Sequence, residues 1–188
     1  MAEQRRLQRR SRHRYGRARG DQKLLTAHLR HEISFAGRDR LPDRVAEIAG
    51  LEAGTDMVVR RRVLHDRESG RVEELGASYI PLDIAQGTFL EEPDVVPKAL
   101  FLCIEDLSGD RYVTASDRWT WRMPTSAEAM SLGMSPSAAV VHLVHVARSE
   151  NGRLLEISES VWPADRIEII DEYDVAQEAE ESRGLSDI

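Results

Sequence analysis

"LEISESVWPADRIEI", residues 155–169, is the stretch on which the reading of this chain turns. Leu155, Ile157 and Val161 alternate onto one side of a pleat; Glu156, Ser158, Ser160 and Trp162 alternate onto the other. Pro163-Ala164-Asp165-Arg166 breaks the run, and Ile167-Glu168-Ile169 resumes it. The second side has small hydroxyls that leave room, a carboxylate that accepts hydrogen bonds and an aromatic wall. That mixture suits either the wet face of an edge strand or the lining of a polar-ligand site, and the pattern leaves both open.

Immediately upstream, "AAVVHLVHVARSENGR" (138–153) reads as a strand entering an Asn151-Gly152 turn, so the two strands form a hairpin. His142 and His145 lie three apart on that strand and point to opposite faces, which makes them a poor ligand pair. "MVVRRRVLH" (57–65) is β-branched, "DRESG" turns the chain, and "RVEELGASYIPL" (71–82) returns as a second hairpin. "DRYVTASDRWTWRM" (110–123) is a further alternating strand, with Trp119 and Trp121 on one face. Helices are expected over 21–33, over 41–56 with Pro42 in the first turn, and over 98–109 ending at Gly109. A short helix after Thr125 or Ser126 is closed by Gly133. Five or six strands, mostly antiparallel, with helices between hairpins, make the class α+β.

The chain has 188 residues, 41% of them hydrophobic, enough for one ordinary core without a disulfide staple. Its one cysteine, Cys103, is expected in that core, and a reducing cytoplasm is the simplest compartment. The net charge of −7 is uneven: residues 1–20 hold eight arginines and one acid, Glu3, so +7 stands against −14 on the remainder. Residues 1–20 are expected to be a solvated arm or linker, 21–172 the domain, and 173–188 an acidic tail. Only the arm could favour nucleic acid. No phosphate-cradling glycine loop, nucleophile elbow or HExxH zinc motif occurs, and neither a metal nor a cofactor is expected.

In the first hairpin Arg61 shares a face with Val59 and Val63, while Arg60 and Arg62 share the other with Val58 and Leu64. At least one guanidinium therefore points at an apolar-flanked surface, where an unpaired charge costs several kcal/mol. Arg61 is taken as the inward one, with Glu156 as the complementary anion; a solvated Arg61 whose stem lies along apolar neighbours is the alternative.

"MVVRRRVLHD", "ELGASYIPLDIA" and "WRMPTSAEAMSLGMSPSAAVVHLVHVARSENGRLLEISESVWPADRIEI" together resemble the UTRA effector-binding domain of the HutC branch of GntR-type bacterial transcription regulators. The resemblance spans about residues 40–172. It implies the chorismate lyase fold, a six-stranded, largely antiparallel sheet. It also implies a homodimer, a polar or anionic small-molecule effector, and operator DNA bound through a winged helix N-terminal to the domain. The segment 1–40 is too short and too arginine-rich to be that module. By resemblance the ligand residues fall on Arg61, Glu156 and Trp162, with Ser158 and Tyr79 beside them. Where relatives with phosphosugar effectors carry a second arginine, this chain has Val63; where they carry a glutamate before the "SY" strand end, it has Gly76. Those departures point to a less charged or larger effector. The fold also admits an enzyme, a lyase pairing Arg61 with Glu156 around a carboxylated substrate.

Overall fold

The computed structural model describes residues 7–10, 14–21, 26, 28–172 and 175. In chain order the elements are β1 (Leu7–Arg10), α1 (Arg14–Asp21), β2 (Arg30–Arg40), α2 (Asp43–Ala49), β3 (Asp56–His65) and β4 (Val72–Pro81). There follow α3 (Leu82–Ala85), a 3-10 turn (Phe89–Glu91), α4 (Leu100–Ser108), β5 (Thr114–Arg122) and α5 (Ser126–Ser131). β6 (Val140–Arg148), β7 (Leu154–Pro163) and β8 (Ile167–Ile170) complete the order. Strands β2 to β7 form one antiparallel sheet in the order β2-β3-β4-β7-β6-β5, and β1 pairs with β8 in parallel.

Two local hairpins build the centre of the sheet. The β3–β4 turn is held by Asp66, whose Oδ1 accepts from the Ser69 amide (2.8 Å) and the Ser69 hydroxyl (2.7 Å). The β6–β7 turn needs the positive φ of Gly152, +76°, which an L side chain adopts only under strain. β4 and β7 then meet in the middle, with Ser78 opposite Ser158 and Gly76 opposite Ser160.

Both faces of the sheet are covered. On one, Val45, Ala46 and Ala49 of α2 pack on Val59, Ala77, Tyr79, Val144 and Ile157. On the other, Ile84, Ala85, Leu90, Cys103 and Ile104 pack on Val58, Ile80 and Leu155. Cys103 is a core residue, as expected. Farther along that second face, Ile167 and Ile169 of β8 fold back over Trp162, Val141 and Leu143, with Trp119 stacked on Trp162. The Arg60 side chain ties the α3–α4 connection to the sheet, donating to the carbonyls of Leu90 (2.6 Å), Glu92 (2.8 Å) and Asp94 (2.5 Å).

Three expectations change. Leu155, expected on the side of Ile157 and Val161, packs with Val58 and Ile80 on the opposite face, because the β6–β7 register shifts between Ala147 and Arg148 and leaves Leu155 as the extra residue. The helix expected over 21–33 is interrupted by strand: residues 30–33 belong to β2, which pairs with β3, and residues 22–25 and 27 lie outside the described residues. The reason is tertiary pairing, since β3 would otherwise be a bare edge. The basic block also gains structure, because α1 packs on α4 and β1 pairs with β8. The acidic tail, apart from Val175, lies outside the described residues. No helix among the described residues is long and apolar enough to cross a membrane.

α5 begins with a capping box: Thr125 Oγ1 accepts from the Glu128 amide (3.2 Å), and the Glu128 carboxylate accepts from the Thr125 amide (2.7 Å). Burial pushes the Glu128 carboxyl up, but the two-pronged Arg122 pair (2.6 Å each) and the Thr125 amide outweigh it and hold it down at about 2. A depressed folded-state value stabilises fully above the ordinary glutamate range, and that stabilisation is lost as pH falls toward 2. Urea melts of the wild type should lose on the order of 3 kcal/mol through this group between about pH 5 and 2. Glu128→Gln should lose that part of the acid sensitivity, and an unchanged pH slope in the variant would contradict the assignment.

Candidate functional site

The pairing register decides which side chains meet. Arg62 stands opposite Gly76, Gly76 opposite Ser160, and Ser160 opposite Leu143, so these positions form a row across one sheet face. Glu74 and Ser78 flank Gly76 on the same face. The carboxylate of Glu74, with 1% of its side chain exposed, accepts from Arg62 (3.1 Å), the Ser160 hydroxyl (2.7 Å) and the Trp162 indole N–H (3.0 Å). Arg62 also reaches Ser160 (3.2 Å) and Ser78 (3.4 Å). Its guanidinium lies flat over Gly76: a Cβ there would sit 2.7 Å from Arg62 Cζ and Nη2. Only glycine lets the cation lie this low.

A second group continues the same face. Glu156 accepts from the Tyr112 hydroxyl (3.0 Å). Burial first, and the Glu156 charge second, push the Tyr112 phenol well above its ordinary value, so it acts as a donor. His145 stands opposite Ser158, and its Nδ1 meets Asp117 Oδ1 at 2.6 Å. Its Nε2 meets the Tyr15 hydroxyl, brought there by α1. Ser158 is half-buried between Arg62's row and His145. Two opposite charges, two serine hydroxyls and a phenol thus share a sheltered surface that could hold a polar molecule by hydrogen bonds.

Glu156, Ser158 and Trp162 share one face as the alternation implied, but Glu156 and Trp162 stand six residues apart on β7, and Trp162 is buried under β8 with its indole N–H on Glu74. Arg61 and Tyr79 are not on that face. Arg61 projects from the other face, paired with Asp39 (2.6 Å) and lying over the Phe35 ring (4.8 Å), with its side chain 40% exposed. This is the solvated alternative, and the expected Arg61–Glu156 opposition across a hollow is not formed. Tyr79 lies on Arg61's side of the sheet, donating to Glu159 (2.5 Å). Glu159 also meets His142 Nε2 (2.9 Å), whose Nδ1 accepts from Arg44 (2.5 Å). An arginine can only donate, so the His142 hydrogen sits on Nε2 and points at Glu159. Burial raises the Glu159 carboxyl, but the His142 and Tyr79 bonds outweigh it and hold it below its usual range.

On the site face β3 presents Arg60 and Arg62, two residues apart, and β4 presents Glu74, two residues before Gly76. Sequence reasoning missed Glu74, Arg62, Tyr112, His145 and Asp117. One signal was present: Gly76 inside a strand marks a close approach by a neighbour. Among the described residues no group of three or more His, Cys, Asp or Glu is placed to hold a metal ion.

The fold, a six-stranded antiparallel sheet with helices between its strands, is that of the effector domains of GntR-family regulators. The UTRA domain model matches residues 27–168, and the chain belongs to the UTRA domain family. The effector domain of PhnF from Mycobacterium smegmatis is 18% identical, over 77% of this chain and 86% of that one, with a TM-score of 0.62. PhnF from the same organism is 17% identical, over 90% of this chain and 72% of its own, with a TM-score of 0.64. A GntR-family transcriptional regulator from Bacillus cereus is 15% identical, over 78% and 99%, with a TM-score of 0.64. No curated protein matches the sequence.

Glu74→Ala leaves the Arg62 cation and the Trp162 N–H beside an emptied buried position and should cost about 3–5 kcal/mol in urea denaturation. Gly76→Ala should cost less, about 1–3 kcal/mol, because the added methyl lifts the flexible end of Arg62 off the sheet while Glu74 keeps its Ser160 and Trp162 donors. Equal losses from both substitutions would contradict the array described.

Proposed function

We propose that this chain is the small-molecule-sensing domain of a GntR-type, HutC-branch bacterial transcription regulator. The observation that carries this reading is the polar face of β3, β4 and β7. A sheet face covered by helices is most stable when apolar. Here its centre instead holds Glu74, Arg62, Ser160 and Ser158, with Glu156 and Tyr112 beside them. Local conflict with stability of this kind is expected where a site has been built. UTRA family membership supports the same reading.

In the proposal Arg62, Ser158, Glu156 and Tyr112 contact the effector, while Glu74, Ser160 and Trp162 hold Arg62 from behind. The effector offers an acceptor to Arg62 and a donor to Glu156, so it is polar and carries both. Its binding biases a homodimer between two arrangements and so changes the operator affinity of DNA-binding modules outside this domain. The exposed Trp121 (63%) and Met130 (81%) near edge strand β5 support self-association. A cytoplasmic location agrees with this role. A lyase is the weaker reading, because the Arg61–Glu156 pair it would use is not assembled.

A thermal-shift screen of amino acids, amines, sugar phosphates and aromatic acids should yield a stabilising compound; at about a hundred times its Kd it adds about 2.7 kcal/mol. Glu156→Gln should weaken that compound about tenfold or more, and Arg61→Ala should bind it like the wild type. The opposite ranking would move the site to the other face. Turnover of the bound compound would favour the lyase. In sedimentation, the wild type should be a dimer and Trp121→Arg a monomer at the same concentration; a wild-type monomer would remove the dimer from the account.

A further inference from the structure

The basic N-terminal segment has no role in the site as drawn, yet it reaches into it. Tyr15, on the first turn of α1, places its ring edge-on to Phe101 (centroids 4.9 Å, 80°), against Tyr112 (5.7 Å) and against His145 (5.9 Å). Its hydroxyl meets His145 Nε2, while Asp117 holds the other ring nitrogen. One turn later, the Arg19 guanidinium forks onto both oxygens of Glu105 (2.7 and 2.5 Å) and lies over the Phe101 ring (5.3 Å). Glu105 itself is buried and accepts from the Tyr112 amide (2.8 Å). N-terminal to α1, β1 is tied to β8, the strand that continues from Trp162. The segment is therefore fastened beside the effector face at both ends, with a phenol pressed into it between the fastenings.

This arrangement is a built socket. Aromatic walls are supplied by Phe101 and Tyr112, and an oriented imidazole meets the hydroxyl at the far end. Tyr112 is shared: its ring forms a wall of the socket, and its own hydroxyl donates to Glu156. A ligand rearranging Glu156 and Tyr112 therefore also disturbs Tyr15.

Resting on the reading of this face as the effector site, we propose that Tyr15 is a tethered stand-in for the effector: its phenol fills a socket that a hydroxyaryl ligand takes over, releasing α1. The chemical class follows from the occupant, a flat ring with a hydroxyl that meets an imidazole. The consequence is a route from ligand to the N-terminal segment, since Phe101 touches both Tyr15 and Arg19, and Glu105, which Arg19 grips, accepts from the Tyr112 amide. Occupation by the tether lowers apparent affinity for a free phenol by the fraction of molecules with the socket open.

The test uses p-cresol, the tyrosine side chain as a free molecule, with toluene as its hydroxyl-free control. In the full chain, Tyr15→Ala should bind p-cresol at least about tenfold more tightly than the wild type, if the tether occupies the socket about nine-tenths of the time. Tyr15→Ala should also prefer p-cresol to toluene severalfold, and in the wild type saturating p-cresol should speed amide hydrogen exchange over residues 14–21. Should Tyr15→Ala fold poorly, Tyr15→Phe carries the test, since loss of the hydroxyl alone should speed exchange over the same residues. Equal p-cresol affinity in wild type and Tyr15→Ala, equal binding of toluene, or unchanged exchange in Tyr15→Phe would overturn the proposal. Failure here is separable from failure of the effector site. If a metabolite's binding depends on Glu156 while Tyr15→Ala takes no p-cresol, the socket falls and the site stands. If Tyr15→Ala takes p-cresol while no compound depends on Glu156, the site falls and the socket stands.

Discussion

A carboxylate with 1% of its side chain exposed must find its hydrogen-bond donors inside the protein, and Glu74 finds them in Arg62, Ser160 and Trp162. That requirement organises one whole face of the sheet. β3 must present Arg62 rather than Arg61. β4 must have no side chain at residue 76, where the guanidinium lies. β7 must align so that Ser160 and Trp162 both reach the same carboxylate. A one-residue slip of any of the three strands would turn its contribution to the opposite face. The array is thus a register lock as well as a polar surface, and the half-buried Ser158 and the buried Glu156 beyond it on β7 are placed by the same register.

The two faces divide the labour. Under α2 the polar groups close on themselves: Arg44, His142, Glu159 and Tyr79 form one continuous chain of bonds. On the opposite face the bonds stop at the half-buried Ser158, and the remaining groups are bridged by a residue from the N-terminal segment, Tyr15. A closed network rigidifies a core, whereas an interrupted one leaves donors and acceptors for a visitor.

Much of the fold was legible in the sequence because its signals are local. The alternation in 156–162, the Asn151-Gly152 turn and the Thr125 cap each specify one element by short-range physics, whereas the bulge that turns Leu155 to the other face comes from the register with β6. β2 was not legible, since its charges and Gly37 give no apolar period and only pairing with β3 makes it a strand. The site was half legible. Glu156, Ser158 and Trp162 follow from period-two alternation on one strand, but choosing between Arg61 and Arg62 needs to know which face holds the site. Apolar flanks could not decide it: Val58 and Val59, on opposite faces, are both fully buried, because the sheet is covered on both sides. The role of Gly76 depends on a neighbour across the ladder, which one strand read alone does not reveal. Tyr15 was hidden for another reason, as a run of arginines around it reads as solvated whatever one aromatic within it does.

The most direct measurement is the nuclear magnetic resonance of the arginine Nε–Hε groups, recorded as the first stabilising compound is titrated in. The account predicts that the Arg62 signal moves in step with occupancy while the Arg61 signal stays where it is. Movement of Arg61 with Arg62 unmoved would place the binding surface beneath α2 and contradict the account.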